Sequence, residues 1–402
     1  MTYFPLPAAV AEAIETLEAA GFEAFAVGGC VRDLCRGVEP HDYDITTSAT
    51  PEECEAVFSG RRIIETGIKH GTVTVIVGGE PLEITTYRTD GVYLDGRHPE
   101  SVTFSRQIED DLSRRDFTVN AMAYSPTRGL YDLFGGRRHL AEGVIACVGE
   151  PDVRFGEDGL RIMRALRFAS TFGFRIEEKT ASSIHRNRDL LLHISAERIL
   201  AEYKRLITGV GAKDILLEYE DVICTVMPEV AGHDEYERAA AAAADADVDV
   251  NLRTAILLRS SDNIEALKRL KPDGKLLTSV GRILRLAENG IGCDRVSLRR
   301  MLRNCPYDDA RRTVGMARAT GRMSCEDADA AKDMLCEMES TDECVSVRQL
   351  CLTGRDLMSQ GVAEGERIGE ILDTLLEAVI TERVENDRDA LLDMVRELFT
   401  KP

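Results

Sequence analysis

Apolar and polar positions alternate in two different rhythms along this chain, and the changeover divides it. Over residues 8–20 apolar side chains recur every three to four positions, which predicts an amphipathic helix stopped by Gly21. Residues 22–27 then run apolar and predict a strand. Thr50-Pro51-Glu52-Glu53 predicts a helix start: Thr50 can cap, Pro51 suits the first turn, and Glu53 stands where a capping-box partner belongs. Residues 62–65, 72–77 and 82–87 alternate or run β-branched and predict strands of a small sheet. Residues 89–104 carry two glycines and a proline and predict a mobile loop. Residues 111–123 predict a helix starting at or after Ser113, and 131–145 a short hairpin closing the first domain. From about residue 147 the helical rhythm takes over and persists. The fold class expected is α+β: an N-terminal α/β head with a small mixed sheet, followed by an all-α remainder.

At 402 residues the chain is long for one core and implies two to four domains. No apolar run approaches the roughly 18 residues of a membrane span, so no membrane association is expected. The start, Met-Thr-Tyr-Phe-Pro-Leu-Pro, lacks the charged segment and apolar stretch of a signal peptide. Eleven scattered cysteines contain no Cys-x-x-Cys pair, which argues against zinc and against a disulfide framework. Reduced thiols and a cytoplasmic location follow. The net charge of −20 looks wrong for a protein that handles nucleic acid. Its distribution changes that picture. Residues 256–323 hold 15 Lys/Arg against 7 Asp/Glu, whereas residues 324–402 hold 8 against 20. A basic stretch ahead of an acidic tail is a candidate phosphate-binding surface.

The candidate chemistry begins at residues 27–48. Gly28 and Gly29 follow the apolar run Phe25-Ala26-Val27. Glycines there let a ligand approach the backbone, and free N–H groups at a helix start suit phosphate. Arg32 lies just beyond. Asp42 and Asp44 are two apart, so in an extended strand both carboxylates project from one face while Tyr43 and Ile45 take the other. Paired carboxylates repel, and a hard divalent cation relieves the repulsion. Beside a phosphate-friendly turn, the natural cargo is Mg²⁺ with a nucleoside triphosphate. Glu83 sits within a β-branched strand and is a candidate third carboxylate, with an edge-strand Glu facing water as the alternative. In the stretch at 111–123, Arg114 and Arg115 can neutralise a leaving pyrophosphate, and Asp116 can accept from a ribose hydroxyl. Asp158, Arg161, Arg164 and Arg167 recur every three residues, which on one helix makes a drifting charged stripe, with Ile162, Leu166 and Ala169 on a separate apolar face.

Together these stretches carry a resemblance. Gly-Gly-x-Val-Arg-Asp followed by Asp-Tyr-Asp-Ile, then Arg-Arg-Asp-Phe-Thr-x-Asn-Ala, then Glu-Asp-x-x-Arg with Arg-Ala-x-Arg-Phe, resembles the class II nucleotidyltransferases, which include bacterial CCA-adding enzymes and poly(A) polymerases. Residues 194–199, 352–358 and 364–369 are similar to later segments of that family, so the likeness spans nearly the whole chain. It implies a head at 1–146, a neck reading the base at 147–212, and a body at 213–323 and tail at 324–402 that bind tRNA. It implies transfer of nucleotides from CTP and ATP to the 3′ end of tRNA, with Asp42 and Asp44 catalytic and holding Mg²⁺. It assigns nucleotide binding to Gly29, Arg32, Arg115, Asp116, Asp158, Arg161, Arg164 and Arg167, with Asn120 in support. It likens the loop at 89–104 to one that helps the switch to adenine, although His98 stands where a basic residue is usual. A poly(A) polymerase, an enzyme adding only C or only A, and a non-catalytic RNA-binding relative stay open, as does a homodimer.

Overall fold

The computed structural model of the chain describes residues 4–64, 71–91 and 102–400. These fall into two compact units, Met1–Pro228 and Glu229–Pro402, each taken by itself below.

In the first unit a helix, α1 (Ala8–Ala19), leads into strand β1 (Ala24–Val27). There follow α2 (Gly29–Cys35), β2 (Asp44–Thr47), α3 (Pro51–Val57), β3 (Ile63–Ile64), β4 (Thr72–Val77) and β5 (Glu80–Thr86). Next come β6 (Arg88–Asp90), β7 (Val102–Phe104), α4 (Ile108–Ser113), β8 (Ala123–Ser125), β9 (Gly129–Tyr131), α5 (Gly136–Glu142) and β10 (Val144–Ile145). A seven-stranded sheet runs in the order β3-β4-β5-β2-β1-β8-β9. It is mixed because β2 and β5 pair in parallel while every other neighbour is antiparallel. β1 is buried along its whole length because the sheet is covered on both faces. Ala24 and Ala26 pack with Ile14 and Leu17 of α1. Phe25 and Val27 pack on the other side with Ile108 and Leu112 of α4. The capping box at α3 forms as expected, Glu53 N–H donating to Thr50 Oγ1 and Thr50 N–H to Glu53 Oε2.

Three expectations are revised. The helix near Ser113 ends there instead of starting there: α4 puts Glu109, Asp110 and Asp111 in its first turn, where acidic side chains favour a helix N-terminus. The hairpin is β8–β9, earlier than residues 131–145, which hold the end of β9, α5 and β10. Asp132 starts α5 by accepting from the N–H groups of Gly136 (2.7 Å) and Arg137 (2.9 Å). The ends of the stretch at 89–104 are ordered as the antiparallel pair β6–β7. Residues 92–101, with His98, lie outside the described residues.

The rest of the first unit is helical: α6 (Pro151–Glu157), α7 (Leu160–Phe172), then a short strand β11 (Arg175–Ile176) parallel to β10, then α8 (Glu178–Asn187), α9 (Ala196–Ile207), α10 (Ala212–Glu218) and α11 (Glu220–Val226). Ile162, Leu166 and Ala169 form a buried face of α7 as expected.

The second unit is helical among its described residues, from α12 (His233–Asp245), which contains the six alanines, through α13 (Val250–Leu258), α14 (Ile264–Arg269), α15 (Gly274–Glu288), α16 (Arg295–Leu302), α17 (Tyr307–Ala319), α18 (Cys325–Ser340), α19 (Gly354–Ser359) and α20 (Glu366–Ile380) to α21 (Arg388–Thr400). One apolar cluster joins α16, α17 and α18, and another joins α19, α20 and α21. No helix among the described residues is long and apolar enough to cross a membrane.

Candidate active site

The site is built around the end of β1. Its last residue, Val27, pairs with Asp44 on one side and Ala123 on the other. The chain then turns at Gly28, with φ 81° and ψ −127°, a region open to glycine and closed to side chains. A Cβ on Gly28 would lie 2.8 Å from Nη1 of Arg115, so the missing side chain is what lets that guanidinium sit over the turn. The Arg32 guanidinium lies over Gly29 in the same way, 3.6 Å from where a Cβ would be.

Asp42 and Asp44 are both exposed, while Tyr43 packs toward the core with Ile45, as the two-residue alternation predicts. Crowding by the surrounding protein, with the negative charge of Asp42 added, pushes the Asp44 carboxyl above its usual range; the Arg115 guanidinium opposes this. Parallel register sets Glu83 directly beside Asp44, and Glu83 is exposed. No cluster of three or more potential ligands is closed enough among the described residues to hold a metal unaided. Two exposed, mutually repelling carboxylates nevertheless fit Mg²⁺, which commonly takes one or two carboxylates and completes its shell with water and phosphate.

Arg115 owes its position to Asp111, a residue that no sequence motif marks. Asp111 is fully buried and accepts from Arg114 (2.7 Å) and Arg115 (3.1 Å). Burial alone would raise its carboxyl; the Arg115 and Arg114 guanidiniums overcome that and hold it below the usual range. Nε of Arg115 is buried without a hydrogen-bond partner.

Asp116 is buried and is a structural hub. Its Oδ1 accepts from the Phe117 N–H (2.8 Å) and Asn120 Nδ2 (3.0 Å), and its Oδ2 from Arg164 Nε (2.8 Å) and Nη2 (2.6 Å). Burial works against ionisation, but Arg164 and these donors hold the Asp116 carboxyl low. Asn120 Oδ1 in turn accepts from Arg32 Nη1 at 2.7 Å. A continuous chain of bonds thus runs Arg32–Asn120–Asp116–Arg164, from the glycine turn to α7. Asn120 supports the motif as expected.

On α7, the ring of Phe168 gathers the guanidiniums of Arg32 (5.4 Å), Arg164 (5.3 Å) and Arg167 (3.5 Å) around itself. Arg167 Nε also donates to Glu202 at 2.8 Å. Phe168 is visible in the sequence only as part of Arg-Phe, with nothing to mark it as a pillar.

Asp158 and Arg161 do not share a helix face, contrary to expectation. Asp158 is extended (φ −142°, ψ 104°) and breaks the chain between α6 and α7. Gly159 follows because a Cβ there would press on Leu190 at 3.0 Å. Asp158 Oδ2 accepts from Arg198 of α9 at 2.8 Å. Arg161 instead pairs with Glu157 at 2.5 Å and donates to the Arg114 carbonyl at 3.0 Å. The two are separately held, each by a partner of its own. In the sequence Arg198 lies in the stretch 194–199, whose likeness to the family does not mark it as a partner of Asp158.

The basic stretch has partners of its own as well. Arg299 is bound to Glu343 (2.7 Å) and Glu382 (2.9 Å), Arg300 to Glu377 (2.5 Å), and Arg303 to Asp373 (2.9 Å). Much of the charge segregation seen in the sequence is therefore matched within the second unit.

A glycine turn carrying two guanidiniums, beside Asp44 at the start of β2 and Asp42 just ahead of it, defines a nucleotidyltransferase head. The Poly A polymerase head domain family matches residues 24–146, the "Probable RNA and SrmB- binding site of polymerase A" matches 173–230, and tRNA nucleotidyltransferase domain 2 matches 254–395. The CCA-adding enzyme of Lactobacillus helveticus is 35% identical over 391 residues, covering 96% of each chain. That of Lacticaseibacillus paracasei is 35% identical over 393 residues, covering 96% of this chain and 95% of its own. The crystal structure of the Bacillus stearothermophilus CCA-adding enzyme in complex with CTP superposes with a TM-score of 0.80 at 30% identity, covering 98% of both chains. The chain belongs to the CCA-adding enzyme family and is a CCA tRNA nucleotidyltransferase.

Proposed function

We propose that this chain completes the 3′ end of tRNA by adding C, C and A from CTP and ATP without a nucleic-acid template, releasing pyrophosphate at each step. The observation that carries the reading is the exposed Asp42–Asp44 pair, with Asp44 opening the strand that abuts the Gly28–Gly29 turn and its arginines and Asp42 just ahead of it. A Thermotoga maritima CCA-adding enzyme complexed with tRNA-CCA shares the fold, with a TM-score of 0.70 at 20% identity. The units of function proposed are a head at 1–146, a neck at 147–212, and a tRNA-binding body at 213–323 and tail at 324–402. Eleven free cysteines fit a reducing cytoplasm.

Two Mg²⁺ ions held by Asp42 and Asp44 supply, when bound, the Lewis acidity that activates the 3′-hydroxyl and neutralises the leaving group. Gly29 leaves backbone open to the triphosphate. Arg32 and Arg115 grip it, each oriented in advance, Arg32 by Asn120 and Asp33 and Arg115 by Asp111, which it shares with Arg114. Asp158 and Arg161 read the base. Cytosine and adenine both present an amino donor beside a ring-nitrogen acceptor, whereas uracil and guanine reverse the pattern, so one carboxylate and one guanidinium accept the first two and reject the others. Arg164 and Arg167 hold the wall behind them. Asp116 meets the ribose by exchanging one of the four bonds it now accepts.

Asp42→Ala and Asp44→Ala test the reading. Each is expected to abolish incorporation of labelled nucleotide while tRNA retention on a filter persists. Turnover near the wild-type rate in either variant removes the assignment. Glu83→Gln is expected to lower kcat if Glu83 joins the pair, and normal kcat returns it to an edge-strand Glu.

A further inference from the structure

Two arginines meet at the C-terminal end of α4. Arg154 of α6 donates from Nη1 to the Ser113 carbonyl (3.2 Å), and Arg161 of α7 donates from Nη2 to the Arg114 carbonyl (3.0 Å). Ser113 closes α4 and Arg114 is its C-cap, so both bonds satisfy carbonyls that a helix end leaves open. The next residue is Arg115, which lies over the glycine turn. Glu157 stands between the two arginines. Its Oε1 pairs with Arg154 Nη2 at 2.8 Å and its Oε2 with Arg161 Nη1 at 2.5 Å. The Arg154 carbonyl also accepts from Arg161 Nη1, at 3.2 Å. The side chains of Arg154, Glu157 and Arg161 are only 18%, 20% and 11% exposed, so these are not the solvent-bathed ion pairs that contribute little.

A count of donors shows what this arrangement leaves over. A guanidinium carries five N–H groups. In Arg161 the two on Nη1 and one on Nη2 are committed, to Glu157, the Arg154 carbonyl and the Arg114 carbonyl. Nε–H and the second N–H of Nη2 have no protein partner among the described residues. Glu157 is the group that would take them. A carboxylate with both oxygens free binds a guanidinium through two parallel bonds. Arg154 occupies Oε1, so Glu157 meets Arg161 through Oε2 alone.

We propose that Arg154 is a positioning residue for base choice: by holding one oxygen of Glu157 and the end of α4, it keeps the Arg161 guanidinium from closing onto Glu157 and leaves two donors for the incoming base. The inference rests on the reading of Asp158 and Arg161 as the residues that read the base. Arg154 acts through Arg161. The same clamp fixes the peptide that leads into Arg115, so the groups that grip base and triphosphate are set from one frame. In the absence of Arg154, both oxygens of Glu157 are free for Arg161, and the guanidinium turns away from the base.

The measurement is single-nucleotide incorporation by the full chain, with each of the four nucleoside triphosphates, on tRNA ending in C and on tRNA ending in CC. The proteins are wild type, Arg154→Ala, Arg154→Lys, Glu157→Gln and the double variant Arg154→Ala/Glu157→Gln. Arg154→Ala is expected to narrow the preference for C and A over U and G by about 5-fold or more. The loss is expected in kcat/KM for CTP and ATP, with the KM for tRNA within about twofold of wild type. Arg154→Lys keeps a cation on Glu157 and is expected to restore most of the selectivity. Removing Arg154 is expected to matter less when Glu157 is already Gln, because the effect runs through that carboxylate. Unchanged selectivity in Arg154→Ala overturns the proposal. So does an equal loss of selectivity with Glu157 and with Gln in its place. A fall in Tm and in tRNA retention with selectivity kept overturns it too, and makes Arg154 a brace for the fold alone. A wild-type chain that does not prefer C and A overturns the reading of Asp158 and Arg161 itself, a failure visible without any variant.

Discussion

Asp111→Asn isolates the contribution of one buried charge to the grip on nucleotide. The substitution keeps the shape of the side chain and removes the charge that faces Arg114 and Arg115. Removing one partner of a buried pair costs about 3–5 kcal/mol. Here the two arginine side chains remain 19% and 20% exposed, so they can turn partly into water. That places the loss nearer 2–3 kcal/mol. For a unit of this size each kcal/mol lowers Tm by about 2–4 °C, so the first unit should melt about 4–12 °C earlier. The chain has no Trp, so far-ultraviolet circular dichroism is the practical probe. The sign with pH follows from the depressed carboxyl of Asp111. A depressed folded pKa stabilises above the unfolded value of about 3.9, and that stabilisation is lost as pH falls through the folded value. The Tm gap between wild type and variant is therefore full at neutral pH and closes under strongly acid conditions. Freed from its acceptor, Arg115 should also hold triphosphate less well, with KM for CTP and ATP rising together by about tenfold. A Tm gap below about 2 °C at neutral pH, or one that does not shrink in acid, refutes the reasoning.

Two further variants probe the other assignments. Arg198→Ala leaves Asp158 without its holder, and incorporation of U and G relative to C and A should rise about 5-fold or more, out of the roughly 1–3 kcal/mol that a good bidentate base contact supplies; unchanged selectivity would show that Arg198 has no part in base choice. Reversing Arg299 and Arg300 to Glu should lower the melting temperature of the second unit, because both side chains are tied to Glu343, Glu382 and Glu377. A large rise in the KM for tRNA with no loss of stability would instead restore these arginines to RNA binding.

Local patterns are legible in the sequence wherever the physics is local. The capping box at Thr50, the alternation around Asp42 and Asp44, and the buried face of α7 all depend on residues within one or two turns of each other. Register brings Glu83 beside Asp44, a pairing that no local pattern specifies. The holders of the site are harder still to see. Arg198 and Glu202 act through bonds that span 40 and 35 residues, and Asp111, although only 4 residues from Arg115, is one carboxylate among Glu109, Asp110 and Asp111, with nothing in the sequence to say which is buried. Asp158 and Arg161 mislead because a three-residue spacing reads as one helix. Gly159 and the packing against Leu190 end α6 and begin α7 between the two residues. The charge segregation between residues 256–323 and 324–402 is real as a pattern. It points outward to a partner only until the ion pairs are seen, because much of it is satisfied within the unit.

The central claim is that this one chain chooses C, C and then A with no template. Single-nucleotide incorporation tests it most directly, using purified wild-type protein, Mg²⁺ and each labelled nucleoside triphosphate in turn. The acceptors are tRNA ending at the discriminator base, in C, and in CC. The account predicts C on the first two, A on the third, little U or G on any, and a stop after one A. Long A tails would contradict it in favour of a poly(A) polymerase, and addition of C alone or A alone would contradict it in favour of an enzyme that performs only part of the sequence.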